Sequence, residues 1–490
     1  MMARTPLLAL LVGATLLAQG LPDRPEKIPF KPMTFGSPRT EGFKAKLENG
    51  IPVYITADAT GVPFVRLSVH FRGGSYLDPK GKEGLAALAG WELRAGGTAK
   101  LGADALDERV EFLAGSIRSQ IGATSGEVAM DFMEKDLQEG LDLFMQVLTQ
   151  PAFSQDRLDQ AKAALFQQLK GRNDQVPALA EAELARLLNG EDHFSAAAPT
   201  EASLKAISRE DLQAFQARLI HPENLVVSVS GRFQREAMLA LLNRTLGRLQ
   251  PGGAPLPKPL PPSYQRQPGI YVVAKEVPQS MVCLALPGLR RTDPDWHAAV
   301  VMNQILGGSG FTSRMMKKIR SDEGLTYGIG TGLGEGIHWK GDWRCQFQTK
   351  NRSVAYALRL ALAEIERIKR EPVPEEELNV IKDALIQAFP GQWGSQARIA
   401  ASFAIEDLCG WPENWWFDYR EKIQAVTIAD VQRVAQKYLT ANNLVVLVVG
   451  NAAEAEAGDS KDHPGLLREV APLPLIHLPL RDPLTLKPIV

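Results

Sequence analysis

Binding a metal or attacking a carbonyl needs histidine, cysteine or carboxylate side chains whose spacing brings their lone pairs to one point. The seven histidines of this sequence are His70, His193, His221, His297, His338, His463 and His477, and no two lie within four residues of each other. Each reads more simply as a surface or structural histidine than as a ligand, and only assembly from distant parts of the chain would make them a site. Cys283, Cys345 and Cys409 are far apart, odd in number and form no CxxC pair. That argues against a thiolate zinc site and leaves either one disulfide, in an exported chain, or three inert thiols. The glycine run "GGSG" at 307–310 is not followed by the GK[ST] of a phosphate loop, and there is no GxSxG nucleophile elbow. The carboxylates Glu375 to Glu377 sit at a helix start, where they complement the dipole. The aromatic run "WPENWWFDY", from Trp411 to Tyr419, suits helix packing, or the lining of a peptide cavity.

The elements around these residues describe a packed globular chain. Hydrophobic residues make up 45% and charged residues 23%, and the formal net charge is −1, which gives no electrostatic pull toward nucleic acid or anionic lipid. "GLAALAGWELRAGGT", residues 84–98, reads as an apolar helix running into a glycine turn. In "VRLSVHF", Val65, Leu67, Val69 and Phe71 share one face, and Arg66, Ser68 and His70 the other, as in a half-buried strand. "ALDERVEFLAG" and "LQEGLDLFMQVL" have helical spacing. The pattern implies α+β halves, each a sheet with one face covered by helices. Arg4 followed by "PLLALLVGATLL" has the layout of a secretory signal peptide, assigned to residues 1–20. No later apolar run is long enough to span a membrane, so no span is expected once that segment is removed.

The chain repeats itself. "ISREDLQAFQARLIHPENLVVSVSG" (207–231) matches "VTIADVQRVAQKYLTANNLVVLVVG" (426–450) without a gap. In each copy a Ser or Thr followed three residues on by Asp predicts a capping box, then an amphipathic helix, a polar turn and a β-branched strand. Upstream, "SQDRLDQAKAALFQQLKG" from Ser154 resembles "PEEELNVIKDALIQAFPG" from Pro374, and Lys162 answers Lys382. Length alone suggests about three domains. The repeats reduce this to an N-terminal domain over 40–250, a proline-rich linker over 251–269, a C-terminal domain over 270–452 and an extended proline-rich tail over 453–490.

Several ordered segments resemble the insulinase/pitrilysin family, the inverted zincins. They include "LENGIPVYI", "FRGGSYLDPKGKEGLAAL", "APTEASLKAISREDLQAF", "HPENLVVSVSG" and "GGSGFTSRMMKKIRSDEGLTYGIG", and the likeness runs from about Lys44 to Gly450. It is greatest to the non-catalytic subunits of smaller, heterodimeric bacterial members. The resemblance implies a clamshell of two duplicated halves, each a mainly antiparallel sheet covered by helices and joined by the proline-rich linker. It also implies a zinc site, HxxEH on a helix plus a glutamate on a later helix. Here those positions fall on Ala87, Gly90, Trp91 and Gln168, which hold no zinc ligand beyond a neutral amide. The family further uses an Arg and a Tyr seven residues apart to hold the substrate carbonyl as it becomes an oxyanion, and Arg320 and Tyr327 match that pair. Arg320 near a helix end and Tyr327 in a strand-like run also suit purely structural roles. The glycine-rich segment Gly307, Gly308 and Ser309 corresponds to one that lies near substrate in the family.

The expectation is therefore a chain inactive alone: the non-catalytic subunit of an exported, periplasmic or extracellular, heterodimeric zinc metallopeptidase. An HxxEH-containing homologous partner would carry the zinc, this chain would bind no cofactor, and a peptide would be the substrate. The alternatives are a catalytically dead peptide-binding or assembly protein of the same fold and, less favoured, a self-sufficient metalloendopeptidase.

Overall fold

Two six-stranded sheets carry the fold, and the strand order of one repeats in the other. The computed structural model describes residues 24, 27, 35–58, 61–263 and 265–489, so the expected signal peptide lies outside the described residues. The first sheet comprises β1 (Lys44–Lys46), β2 (Pro52–Ala57), β3 (Phe64–Arg72), β4 (Ser116–Ile121), β5 (Ser125–Met133) and β6 (Leu225–Gly231), in the order β1-β2-β6-β3-β5-β4. The second comprises β7 (Gly269–Ala274), β8 (Gln279–Pro287), β9 (Ile329–Leu333), β10 (Asp342–Lys350), β11 (Val445–Gly450) and β12 (Leu475–Leu478), in the order β12-β7-β11-β8-β10-β9. Five strands correspond one for one, with β2–β6 and β7–β11 as the parallel pairs and the other shared pairs antiparallel. β4 and β9 are the terminal strands on one side of their sheets. On the other side the second sheet is closed by β12, parallel to β7, from the proline-rich tail. Among the described residues, no helix is long and apolar enough to cross a membrane.

The duplicated segments fold for the same local reasons. Ser208 and Thr427 each accept from the backbone N–H three residues on, and the side chains of Asp211 and Asp430 accept from the N–H of the cap residues, completing both capping boxes. The paired lysines perform one task twice. Lys162 donates to the carbonyl of Ile207, and Lys382 donates to the carbonyl of Val426 at 3.0 Å, in each case just before the cap residue. A buried ammonium needs such an acceptor, and Lys382 is only 7% exposed.

The main core lies on one face of the first sheet. Val65, Leu67, Val69 and Phe71 of β3 pack there with Val128, Met130 and Phe132 of β5, under helices Leu85–Ala95, Leu137–Thr149 and Arg209–Leu219. The opposite face was expected to be open, yet Ser68 and His70 are buried too. Helix Gln396–Cys409, from the second half of the chain, lies across β2, β6 and β3 on that side. Ala400 and Ala404 are fully buried and small, as are the facing Ser68, Ser228 and Ser230, so the backbones approach closely. Polar bonds fix the helix: Thr56 donates to the carbonyl of Gln396 at 2.9 Å, and the Tyr54 hydroxyl donates to Asp407 at 2.7 Å.

The exchange is mutual. Helix Val176–Asn189, from the first half, covers the second sheet, burying Leu179, Ala180, Leu184 and Leu188 against Tyr271, Val273, Cys283, Leu447 and Val449. Residues 251–263 and 265–268 form no helix or strand, but this linker does not separate two packing units. Residues 38–490 form one compact unit. Nicking the chain at a protease site engineered into residues 253–256 should therefore leave the two fragments co-eluting on gel filtration without denaturant. Fragments that part under native conditions would show that the exchanged helices do not hold the halves together.

Glu92 and Glu406 are buried carboxyls that lack full partnership. Glu92 is 0% exposed and neither of its oxygens has a hydrogen-bond partner, and Glu406, on the exchanged helix, has one oxygen in the same state. Burial pushes each up to about 7, with Arg157 near Glu92 and Arg291 near Glu406 opposing the shift. A carboxyl raised in the folded state holds its proton where the unfolded chain has lost it, so stability falls as pH rises from the ordinary carboxylate range to about 7. E92Q should raise stability at pH 8 by about 2 kcal/mol and change it little at pH 4. Thermal or urea denaturation at the two pH values measures the difference, and an equal effect at both would refute the assignment.

Candidate functional site

The helix Leu85–Ala95 begins where the Asp78 carboxylate accepts from the N–H groups of Gly84 and Ala86, both at 2.9 Å. This fills donors that a helix N-terminus otherwise leaves unpaired. Burial nonetheless pushes Asp78 up to about 6. Leu85, Leu88, Ala89 and Leu93 point into the core. Ala87 and Trp91, one turn apart, share the exposed face, and Trp91 is 46% exposed. These are the positions where two histidines would grip a metal.

Gly90, the position of the glutamate, is buried against the terminal strand β4. A Cβ built on it would lie 2.4 Å from the Ile121 nitrogen, inside any allowed contact. The Ser119 hydroxyl adds a 2.6 Å hydrogen bond to the Gly90 carbonyl. A glutamate therefore cannot be accommodated without moving β4. Gln168 is exposed on helix Gln155–Lys170, which packs against Leu85–Ala95. A methyl, a missing side chain, an indole and a neutral amide do not fit zinc. Among the described residues, no three His, Cys, Asp or Glu side chains are grouped so as to hold a metal ion.

Two cavities open beside this helix. Ala87 faces one of about 780 Å³, lined among others by Tyr76, His193, Phe194 and Leu260. Trp91 faces another of about 700 Å³, where Arg66, Arg118 and Arg398 converge around β4.

In the second half the structure brings Arg320 and Tyr327 together. The guanidinium carbon of Arg320 lies 5.5 Å from the centre of the Tyr327 ring and 4.5 Å from that of Phe311. The two rings are 93% and 70% exposed. A cation between two aromatic rings is favourable, but rings this exposed gain little from burial in the chain by itself. Gly307 has a packing reason for its type: a Cβ there would lie 2.5 Å from Thr331 of β9. Gly308 and Ser309 are partly exposed and run directly into Phe311.

Four of the histidines have structural partners. His70 hydrogen-bonds Ser228 at 3.1 Å, His221 pairs with Glu223 at 2.9 Å, and His477 pairs with Glu456 at 2.6 Å. His297 stacks on Trp415 with ring centres 5.5 Å apart, and its burial pushes it down to about 4. All three cysteines are free thiols, and burial pushes Cys283 up to about 12. Trp411, Trp415 and Trp416, with Trp296, surround the guanidinium of Arg291 at 4.3 to 5.6 Å, which makes the aromatic run a packing nucleus. Phe311 is the site residue that sequence reasoning missed. A lone aromatic after a glycine run carries no periodic signal, although its exposed type beside the Arg–Tyr pair could have been noticed.

Comparisons with known proteins agree with this geometry. Residues 53–195 match the model for insulinase, peptidase family M16, and residues 206–385 match the model for the peptidase M16 inactive domain. A protein of Helicobacter pylori described as a non-peptidase homolog, YmxG, is 26% identical over 396 residues, covering 80% of this chain and 90% of that one. The mitochondrial-processing peptidase subunit beta of Blastocladiella emersonii is 20% identical, covering 83% of this chain and 88% of its own. The crystal structure of a peptidase M16 inactive domain from Pseudomonas fluorescens superposes with a TM-score of 0.74 at 24% identity, covering 83% of this chain and 97% of that one. Two family models that together match residues 53–195 and 206–385, a duplicated sheet topology and a metal helix stripped of its ligands place the chain in the insulinase family, M16, among members that lack the zinc-binding set.

Proposed function

We propose that the chain is the non-catalytic subunit of an exported, periplasmic or extracellular, heterodimeric zinc metallopeptidase. It works beside a homologous partner that carries HxxEH and the zinc. The observation that carries this reading is a contrast between the two halves. At the position of the motif glutamate Gly90 lies against β4 with no room for a carboxylate, while Arg320, Tyr327 and Phe311 form a cluster whose two rings stay largely exposed among the described residues. A partly exposed arginine in contact with exposed aromatic side chains combines residue types that dominate interfaces. The relative named as a peptidase subunit supports a paired architecture. In this reading Arg320 and the Tyr327 hydroxyl donate hydrogen bonds to the substrate carbonyl oxygen as negative charge develops on it. Gly308 and Ser309 lie along the peptide, Gly307 seats that segment on β9, and Phe311 holds the Arg320 guanidinium in place. Export rests on the signal-like residues 1–20.

Co-purification with an HxxEH relative encoded in the same genome, followed by peptide cleavage, tests the pairing. The chain alone should cleave nothing. In the complex, R320A and Y327F should each lower kcat by about 100-fold while gel filtration shows the heterodimer intact. Full turnover in both variants would remove the oxyanion role.

Restoring the motif letters should not restore the site. The triple variant A87H/G90E/W91H should bind well under one zinc per chain by elemental analysis and unfold at lower temperature, because the glutamate collides with β4. One tightly held zinc with undiminished stability would show that the helix and strand can part freely.

A further inference from the structure

The cavity around β4 has two walls of different chemistry. One is the exposed face of helix Leu85–Ala95, where Trp91 presents nearly half its surface beside Ala95. Arg94 stands at this wall but is paired with Asp107 at 2.7 Å. The other wall is cationic, built from Arg66 of β3, Arg118 of β4 and Arg398 of the exchanged helix. Arg66 and Arg118 share a single carboxylate, Asp131, with Arg118 bonded at 2.6 Å. Asp131 is 8% exposed, whereas the two arginine side chains are 53% and 60% exposed. Arg398 donates to the Gly391 carbonyl at 3.0 Å and forms no ion pair among the described residues. The remaining acid in the wall, Glu127, is turned toward His70, 3.7 Å away. Three guanidiniums thus face two carboxylates, one of them buried, and the wall keeps a surplus of charged donors.

Between the walls lies β4, which pairs with β5 alone among the described strands and has helix Leu85–Ala95 packed against it at Gly90. An extended segment lying along such a strand sends alternate side chains to opposite sides. One set would meet the Trp91 indole and the other the arginines. A single arginine on an edge strand only blunts it against association. Three arginines from three elements, two of them sharing one carboxylate, make a receptor for carboxylates.

We propose that this cavity binds an extended acidic peptide segment, with apolar side chains on Trp91 and alternate Asp or Glu side chains on Arg66, Arg118 and Arg398. The site belongs to this chain alone. It needs neither a partner nor the Arg320–Tyr327 pair, so it can fail while the subunit reading stands, and the reverse.

The test uses the full chain and two peptides blocked at both ends, acetyl-Thr-Glu-Val-Glu-Thr-Glu-Val-Glu-amide and its Glu-to-Gln counterpart, followed by calorimetry at low salt. Blocking the ends removes the terminal carboxylate as a source of binding. The acidic peptide should bind about tenfold or more tighter than the neutral one, and its advantage should shrink as salt is raised. R118Q/R398Q should abolish that advantage and leave the neutral peptide unchanged, while W91A should weaken both. R118Q leaves Asp131 paired with Arg66. If the double variant melts early, R398Q alone carries the test, because Arg398 is exposed and has no ion pair among the described residues. Equal affinity for the two peptides, no binding at millimolar concentration, or inorganic sulfate displacing the acidic peptide completely at equal ionic strength would overturn the proposal.

Discussion

A sheet buried on both faces needs two layers of cover, and each half of this chain supplies only part of its own. Helix Gln396–Cys409 closes the polar face of the first sheet, and helix Val176–Asn189 closes one face of the second. The two contacts differ in character. The first works through small residues and bonds such as Tyr54 to Asp407, the second through leucines on valines. Both place residues of one half where the other half needs them. The cavity at β4 depends on this directly, since Arg398 arrives from the second half to stand beside Arg66 and Arg118.

The same close packing shapes the helix at the metal-motif positions. Removing two histidines and a glutamate would by itself leave a helix that could regain them. Here Gly90 lets the helix settle onto β4, and Ser119 bonds across the contact. A carboxylate side chain at this position would meet the backbone of β4. Two positions along, Glu92 is fully buried with neither oxygen hydrogen-bonded, a cost the packed helix carries. The exposed face retains Ala87 and Trp91, which open onto two cavities instead of one ion.

Much of this was legible in the residues. The gapless match of 207–231 with 426–450 anticipated two sheets of one topology, and the Ser–Asp and Thr–Asp pairs anticipated both capping boxes, because those signals are local. The empty ligand positions were also plain, since ligation depends on side-chain type. What could not be read was which surface an amphipathic helix covers. Leu179 and Leu184 announce an apolar face but not that its partner is Val273 rather than Val65. For the same reason Ser68 and His70 read as solvent-facing. The alternation of "VRLSVHF" is right for the core face and silent about a helix arriving from residue 396 onward. Within "APLPLIHLPLRDPLTLKP", the proline density concealed the short run Leu475–Leu478 that becomes β12.

The mutual exchange also sets a timetable. A chain emerging from the ribosome completes β6 at Gly231 long before the helix that begins at Gln396 exists. Through that interval the first sheet has one uncovered face, and helix Val176–Asn189 has no surface to rest its leucines on. Contacts so distant along the chain make folding slow and leave intermediates open to aggregation. A nascent chain of this design has reason to remain unfolded, or in the care of a chaperone, until its synthesis is nearly finished.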